Sequence, residues 1–159
     1  MTLKIGDKLP EATFSIMTDE GPTSLSVSDL CSGKTIALFA VPGAFTPTCS
    51  ARHLPNFKER LGDLSAKGID QVACTSVNDP FVMAAWSANE NAGDILMLAD
   101  GNGDFAKACG LTLDATGFGM GLRSRRYAML VKDGVVTQLN LEEGGEYEVS
   151  SADVLLEQI

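Results

Sequence analysis

The apolar and polar positions of this 159-residue chain fall into blocks that predict strands and helices in alternation. Residues 35–41 are apolar at nearly every position, which is typical of a strand buried on both faces. In residues 50–66 apolar side chains recur every three or four positions, which predicts a helix that Pro55 should kink or restart. Another helix should begin at Asn78-Asp79-Pro80, where a capping side chain precedes a proline. The remaining predicted strands are 12–17, 24–27, 69–77, 95–99, 126–132 and 135–141.

The predicted elements follow the order β-α-β-α-β-α, then a β-hairpin and a last helix. Shorter helices are expected at 104–110 and after Ser150, where Ser150 with Asp153 loosely resembles a capping box. Loops are expected at 29–34, 111–124 and 142–150. Strands that alternate with helices favour an α/β fold, with a largely parallel sheet covered by helices on both faces. Because the terminal hairpin adds antiparallel strands, the central sheet should be mixed, and we expect residues 1–159 to form one domain.

Composition narrows the classes of function. The net charge is −9, from 12 basic and 21 acidic side chains, so nucleic acid is not expected as a partner. No apolar run approaches the ~20 residues of a membrane helix, and the N-terminal residues do not resemble a secretory signal. The four cysteines are widely spaced and form no C-x-x-C motif, which favours reduced thiols and a cytoplasmic protein.

Neither a metal nor another cofactor is expected. Asp100-x-Asn102-x-Asp104 begins like a calcium loop, but Phe105 replaces the required glycine and Leu111 stands at the position of the closing glutamate. A turn followed by a helix cap explains this segment better. The glycine-rich residues 117–121 do not connect a strand to a helix in a βαβ unit, so nucleotide binding is not expected there either.

Cys49 is the first candidate for chemistry, because it follows the buried strand 35–41 and a turn that contains Pro42 and Pro47. A cysteine at a helix N-terminus is in a setting that favours the reactive thiolate. The alternative is a buried cysteine that serves only as a small apolar residue. Thr46 lies three residues earlier, and its hydroxyl could orient a substrate oxygen near the sulfur, cap the helix, or do both.

Two further groups could act on this sulfur. Arg123, Arg125 and Arg126 cluster before a predicted strand, and Arg126 is best placed to reach across the sheet to the thiolate; the alternative is a solvated turn. His53, the only histidine, lies four residues after Cys49 and could form the Cys–His pair of an acyl-transfer enzyme. Since no third orienting group is evident, a partly exposed helix histidine is the preferred interpretation.

Residues 42–49, Pro-Gly-Ala-Phe-Thr-Pro-Thr-Cys, resemble the P-x-x-x-T-x-x-C signature of peroxiredoxins. Residues 76–81 and 98–100 are similar to the type II, peroxiredoxin-5-like branch of that family. The resemblance implies a thioredoxin-like fold and a thiol peroxidase that reduces hydrogen peroxide and alkyl hydroperoxides. It also implies that Cys49 is the peroxidatic cysteine, oxidised to a sulfenic acid, that Thr46 and Arg126 bind the peroxide, and that Pro42 and Gly43 shape the site. A homodimer that packs beside the active site is implied as well.

The resemblance leaves open how the thiol is restored. Some relatives carry a resolving cysteine in the loop before the last helix, where this chain has no cysteine. Others have one at the position of Cys74, but Cys74 lies in a strand predicted to be buried and would need local unfolding to reach Cys49. Cys31 and Cys109 are expected to be more exposed. We therefore expect an external thiol as reductant, such as glutathione with glutaredoxin, or thioredoxin. The alternative function is a thioredoxin-like redox sensor or interaction module with little turnover.

Overall fold

The computed structural model describes residues 2–159. In chain order, the strands are β1 (Thr13–Thr18), β2 (Gly21–Ser26), β3 (Thr35–Ala40), β4 (Gln71–Ser76), β5 (Leu96–Ala99), β6 (Thr112–Asp114), β7 (Leu122–Ser124), β8 (Tyr127–Lys132) and β9 (Val135–Leu141). The α-helices are α1 (Val27–Cys31), α2 (Leu54–Glu59), α3 (Leu61–Ala66), α4 (Pro80–Asn89), α5 (Asp104–Cys109) and α6 (Ala152–Glu157). A π-helical turn, Cys49–His53, precedes α2, and a 3₁₀ turn, Thr116–Phe118, separates β6 from β7.

Seven strands form one mixed sheet in the order β2-β1-β5-β4-β3-β8-β9. β3, β4 and β5 are parallel neighbours, and the remaining pairings are antiparallel. Along β3, Phe39 packs in a cluster with residues of α2, α4 and α6, whereas Leu38 packs in a second cluster with residues of α1 and α5. Because successive side chains of a strand point to opposite faces, helices cover both faces of the sheet, as the order of elements predicted.

Several local predictions are confirmed. The strand 35–41 is buried on both faces. The hairpin of β8 and β9 turns at Asp133 and Gly134, whose φ angles of 48° and 82° are those that a two-residue type I′ turn requires. Helix α4 starts at Pro80, and the Asp79 carboxylate accepts a hydrogen bond from the Val82 N–H. Asp100 likewise caps α5, since its two carboxylate oxygens accept from the N–H groups of Phe105 and Ala106.

Three local predictions are wrong in part. The expected loop 29–34 contains the end of α1, which begins at Val27 because the Ser26 hydroxyl caps it by accepting from the Asp29 N–H. The expected loop 111–124 contains β6 and β7, which pair antiparallel beside the main sheet. The cap of the last helix is Ser151, which accepts from the Val154 N–H, whereas the Ser150 hydroxyl is engaged elsewhere.

The expectation that Cys31 and Cys109 are more exposed is also wrong. Both side chains are at least 98% buried. Cys31 lies on the same face of α1 as Val27, and Cys109 lies on the same face of α5 as Phe105. Their position near a helix end was a poor guide, because the face of the helix decides burial. Within residues 2–159, no helix is long and apolar enough to cross a membrane.

Candidate active site

Cys49 lies at the start of the helical segment that follows β3, as predicted, and is fully buried. Its carbonyl accepts from the N–H of Leu54, five residues later, so the first turn is a π turn rather than an α turn. Pro55, which has no N–H to donate, follows directly as the second residue of α2. The proline thus restarts the helix, and the widened turn holds the cysteine at its beginning.

Arg126 reaches the sulfur from the neighbouring strand. It directly precedes β8, whose Tyr127 pairs with Ala40 at the end of β3, and its Nη2 donates to Cys49 Sγ at 3.1 Å. The arginine is only 5% exposed. Among residues 2–159, its Nε–H has no hydrogen-bond acceptor. Since an unpaired buried donor costs about 1–3 kcal/mol, this N–H is a ready donor for a bound molecule.

His53 is fully buried beside Arg126, so the interpretation of a partly exposed histidine is wrong. Its ring packs against the rings of Phe39 and Tyr147, at centroid distances of 4.9 and 5.1 Å. Arg126 Nη1 donates to His53 Nδ1 at 2.8 Å, and His53 Nε2 donates to the Ser150 carbonyl at 2.8 Å. Burial and the Arg126 charge lower the pKa of His53 to about 3, so the ring is neutral near pH 7. With both ring nitrogens engaged, His53 is not arranged to take the Cys49 proton, which disfavours a Cys–His hydrolase.

Thr46 lies in the turn before Cys49, and its hydroxyl donates to the Gly43 carbonyl at 2.7 Å. The side chain therefore does not cap the helix, and its oxygen keeps lone pairs that can accept a hydrogen bond. Gly43 is buried, and a Cβ atom there would lie 3.1 Å from Thr46 Cγ2 and 3.2 Å from Met120 Cε. Pro42 is half-buried beside it. The turn is braced by the Ala44 N–H, which donates to Asn78 Oδ1 after β4.

The other two arginines of the cluster hold loops in place. Arg123 donates to the carbonyls of Met120 and Val77, and Arg125 donates to the carbonyl of Glu142. None of the three arginines lies in a freely solvated turn. Arg126 is the one that contacts Cys49, as its position before the strand predicted.

The remaining cysteines are buried thiols without disulfide bonds. Cys74 lies in the central strand β4 and is fully buried, and this burial raises its pKa well above the ordinary value. Burial likewise raises the pKa of Cys31 to about 11 and that of Cys109 to about 12. All three are therefore protonated near pH 7, and a protonated thiol is a poor nucleophile.

The segment 142–150, interpreted from sequence only as an acidic loop, contributes groups beside the site. Glu142 Oε2 accepts from the Ser150 hydroxyl and from three backbone N–H groups. The Tyr147 ring packs at a tilt against the His53 ring, and the guanidinium of Arg52 lies 4.6 Å from the Tyr147 centroid. No spacing motif marks these residues, and residue 142 lies near Arg126 because of the pairing of β8 with β9. Across residues 2–159, no cluster of three or more His, Cys, Asp or Glu side chains is arranged to hold a metal ion.

Comparison with known proteins agrees with this geometry. The family model "Redoxin" matches residues 4–156. The chloroplastic peroxiredoxin-2E-2 of Oryza sativa is 50% identical over 99% of this chain and 73% of that protein. Peroxiredoxin-2B of Arabidopsis thaliana is 46% identical over 99% of this chain and 98% of that protein. The structure of reduced Prx3 from Vibrio vulnificus in complex with H₂O₂ superposes with a TM-score of 0.96, at 52% identity and 99% coverage of both chains. The thioredoxin-like fold is thereby confirmed.

Proposed function

This chain belongs to the peroxiredoxin family of thiol-dependent peroxidases, in its type II branch, and we propose that Cys49 is its peroxidatic cysteine. The observation that carries the proposal is the hydrogen bond of 3.1 Å from Arg126 Nη2 to Cys49 Sγ. The buried guanidinium supplies a positive charge and an N–H donor beside the sulfur, and the thiolate is the nucleophilic form of a cysteine. Cys49 also lies at the start of a helical segment, the end at which the helix dipole is positive.

In the proposed reaction, the Cys49 thiolate attacks the terminal oxygen of a hydroperoxide. An S–O bond forms as the O–O bond breaks, the attacked oxygen keeps its hydrogen, and the second oxygen leaves as an alkoxide or hydroxide that takes a proton from water to give an alcohol or water. The sulfur loses two electrons and becomes a sulfenic acid, while the peroxide gains them. Negative charge moves from sulfur onto both oxygens in the transition state, so fixed donors near those oxygens lower the barrier.

Two groups are proposed to hold the peroxide. The free Nε–H of Arg126 supplies a donor for a peroxide oxygen, in a site where that donor lacks an acceptor among residues 2–159. Thr46 has already committed its hydroxyl proton to the Gly43 carbonyl, so it serves as an acceptor for the peroxide O–H. Pro42 and Gly43 shape the wall of this site, since Gly43 leaves no room for a side chain against Thr46.

The burial of Cys49 supports small substrates. Because the cysteine is fully buried, hydrogen peroxide and short alkyl hydroperoxides are the proposed substrates. The complex of the Vibrio vulnificus protein with H₂O₂ also supports hydrogen peroxide.

An external thiol is proposed to restore Cys49. It attacks the sulfenic acid with loss of water, and a second thiol then reduces the mixed disulfide. Glutathione with glutaredoxin, or thioredoxin, would supply these thiols. The raised pKa values of Cys31, Cys74 and Cys109 support this route, because each of these thiols is buried and protonated. Four unpaired cysteines also support a reducing compartment such as the cytoplasm.

Mass spectrometry after one equivalent of hydrogen peroxide tests both steps. We expect one added oxygen atom on Cys49, no peroxide consumption by Cys49→Ser, and full turnover by Cys74→Ser with glutathione and glutaredoxin or with thioredoxin. Cys31→Ser is the matched control and should react with peroxide at the rate of the native chain. Peroxide consumption by Cys49→Ser would refute the peroxidatic assignment. A Cys49–Cys74 disulfide would instead show that the enzyme resolves internally.

A homodimer is proposed as the active assembly, with the interface beside the active site. Phe45, Phe81, Phe118 and Leu122 are large apolar side chains that are 42–87% exposed. Hydrogen bonds join the segments next to these side chains near the site. The Ala44 N–H donates to Asn78 Oδ1, and Arg123 Nη1 donates to the Val77 carbonyl. Apolar side chains gathered at one end of a molecule are typical of an interface.

A further inference from the structure

The segment 142–150 is hydrogen-bonded to the backbone of Arg126, the residue before β8. Glu142 directly follows β9, and its N–H donates to the Arg126 carbonyl at 3.0 Å. The carbonyl of Glu142 in turn accepts from Arg125 Nη2 at 2.8 Å. Glu142 is only 2% exposed, although acidic side chains are seldom buried without partners.

The Glu142 carboxylate finds its partners within its own loop. Oε2 accepts from the N–H groups of Glu148, Val149 and Ser150 at 2.8, 2.9 and 2.8 Å, and from the Ser150 hydroxyl at 2.6 Å. Burial alone would raise the pKa of Glu142, but the bonds from Ser150, Glu148 and Val149 outweigh it and lower the pKa below its ordinary value. The carboxylate is therefore charged near pH 7 and closes the loop into a fixed shape.

The shape of this loop sets the tautomer and the hydrogen bonds of the His53 ring. The carbonyl of Ser150 accepts from His53 Nε2, so the proton lies on Nε2 and Nδ1 is left to accept from Arg126 Nη1. Nη2 of the same guanidinium donates a hydrogen bond to Cys49 Sγ. Contacts thus run without a gap from Glu142 through Ser150, His53 and Arg126 to the sulfur. His53 is also faced by Tyr147, whose ring lies in the same loop.

We propose that Glu142 is a positioning residue for the peroxidase reaction, because it fixes Ser150, which orients His53 so that Nδ1 accepts from Arg126 and Arg126 stays in contact with Cys49. The proposal rests on the assignment of Cys49 and Arg126 as the reacting pair. If the loop is released, His53 loses the acceptor that holds its tautomer. The ring can then turn or take a proton, and a protonated ring repels the guanidinium instead of accepting from it.

The variant Glu142→Gln tests this role, because glutamine keeps the size of the side chain but loses its charge and half of its acceptors. We expect kcat/KM for hydrogen peroxide to fall about tenfold, since a small displacement of a positioning contact has effects of this order. The KM for the reducing thiol should not change. The NMR signals of His53, the only histidine, should show a titration midpoint well above the native value of about 3.

Asp153→Asn is the matched control. Its carboxylate also accepts from two side chains, Asn56 and Arg60, but it lies on α6, outside the chain of contacts to the sulfur. We expect this variant to keep both the native kcat/KM and the native His53 titration. If Glu142 only stabilised the fold, Glu142→Gln would lower the melting temperature but leave both kcat/KM and the His53 titration unchanged.

A folded Glu142→Gln variant with the native peroxide rate and the native His53 titration would overturn the proposal. The native chain supplies a second test that does not depend on the variant folding. The amide hydrogens of Glu148, Val149 and Ser150 should exchange slowly, and exchange as fast as in an open loop would also overturn the proposal. Failure of the proposed function has a different signature, because Cys49→Ser would then still consume peroxide.

Discussion

The guanidinium of Arg126 is buried with no carboxylate beside it. The ion pairs found among residues 2–159 belong to Arg60, and the partners of Arg126 are His53 and Cys49. A buried cation without a counter-charge is costly, and a neutral imidazole supplies only an acceptor. Cys49 Sγ, at 3.1 Å from Nη2, is the other acceptor of this guanidinium. At the scale of single residues, the proposed reaction gives the buried arginine a role, because the guanidinium lies where negative charge is transferred between sulfur and peroxide.

The buried histidine predicts how stability depends on pH. The folded protein holds His53 neutral down to about pH 3, whereas the unfolded chain protonates an ordinary histidine near 6.5. Between these values the unfolded state binds the extra proton, so the free energy of unfolding falls as the pH drops below about 6.5. We expect a loss of about 1 kcal/mol between pH 7 and pH 5.5, measured by urea unfolding.

The control for this prediction is His53→Gln, whose amide can donate to Ser150 and accept from Arg126 but does not titrate. Its free energy of unfolding should change less over the same interval. The pKa of Glu142 is lowered in the folded state, so its contribution to the free energy of unfolding is also lost in acid. This loss begins only as the pH approaches the ordinary carboxylate range below 5.5. An equal pH dependence in both proteins would exclude His53 as its source.

Some site residues could be identified from the sequence, and others could not. Cys49, Thr46 and Arg126 were predicted as site candidates because their chemistry is visible from residue type, spacing and position in an element. The role of His53 was missed, because it depends on which face of a helical segment is buried, and the π turn changes that face. Glu142 was missed for a related reason, since an acidic residue in an acidic segment gives no sign that four donors surround it.

At the scale of elements, the β8–β9 hairpin shows why register was hard to predict. The turn at Asp133-Gly134 starts the pairing at Lys132 with Val135, and a regular ladder would place Arg126 opposite Leu141. A β-bulge at Leu130 and Val131 shifts the pairing by one residue. Glu142 therefore bonds the Arg126 backbone instead. The existence of the hairpin was predictable from its turn, but the bulge, which depends on packing, was not.

The turn between β3 and Cys49 predicts a site-specific effect of one added methyl group. In Gly43→Ala, the new Cβ would press on Thr46 Cγ2 at 3.1 Å and on Met120 Cε at 3.2 Å. The Met120 side chain is flexible, whereas Thr46 is held by its bond to the Gly43 carbonyl, so Thr46 should shift. We expect kcat/KM for hydrogen peroxide to fall roughly tenfold, with a small change in melting temperature, measured by stopped-flow kinetics and thermal unfolding.

Gly62→Ala is the matched control, because a Cβ atom there meets nothing within 4 Å and the residue lies inside α3. Alanine favours the helix by about 1 kcal/mol over glycine, so this variant should be slightly more stable with an unchanged peroxide rate. A native rate in Gly43→Ala would show that Thr46 does not depend on the shape of this turn.

At the scale of the whole molecule, the site is assembled where the parallel strands end. β3 and β4 finish at the same edge of the sheet, and the loops that follow them are joined by the bond from Ala44 to Asn78. Ligand sites at the carboxyl ends of parallel strands are the rule in α/β folds. The position of Cys49 after β3 agrees with this rule. The contribution of the 142–150 loop was not predictable, because it is set by long-range contacts with the π turn.

The exposed side chains of Phe45, Phe81, Phe118 and Leu122 lead to a prediction about assembly. Phe118 is 87% exposed and lies two residues before Met120, whose Cε would be 3.2 Å from a Cβ atom on Gly43. If a second copy covers this surface, a charge at its centre must be desolvated without a partner, and the dimer should weaken strongly. We expect Phe118→Lys to sediment as a monomer at micromolar concentrations at which the native chain is a dimer. Ile5→Lys, at a residue 55% exposed in the N-terminal segment, should remain dimeric. Equal sedimentation of the native chain and Phe118→Lys would show that these side chains do not form the interface.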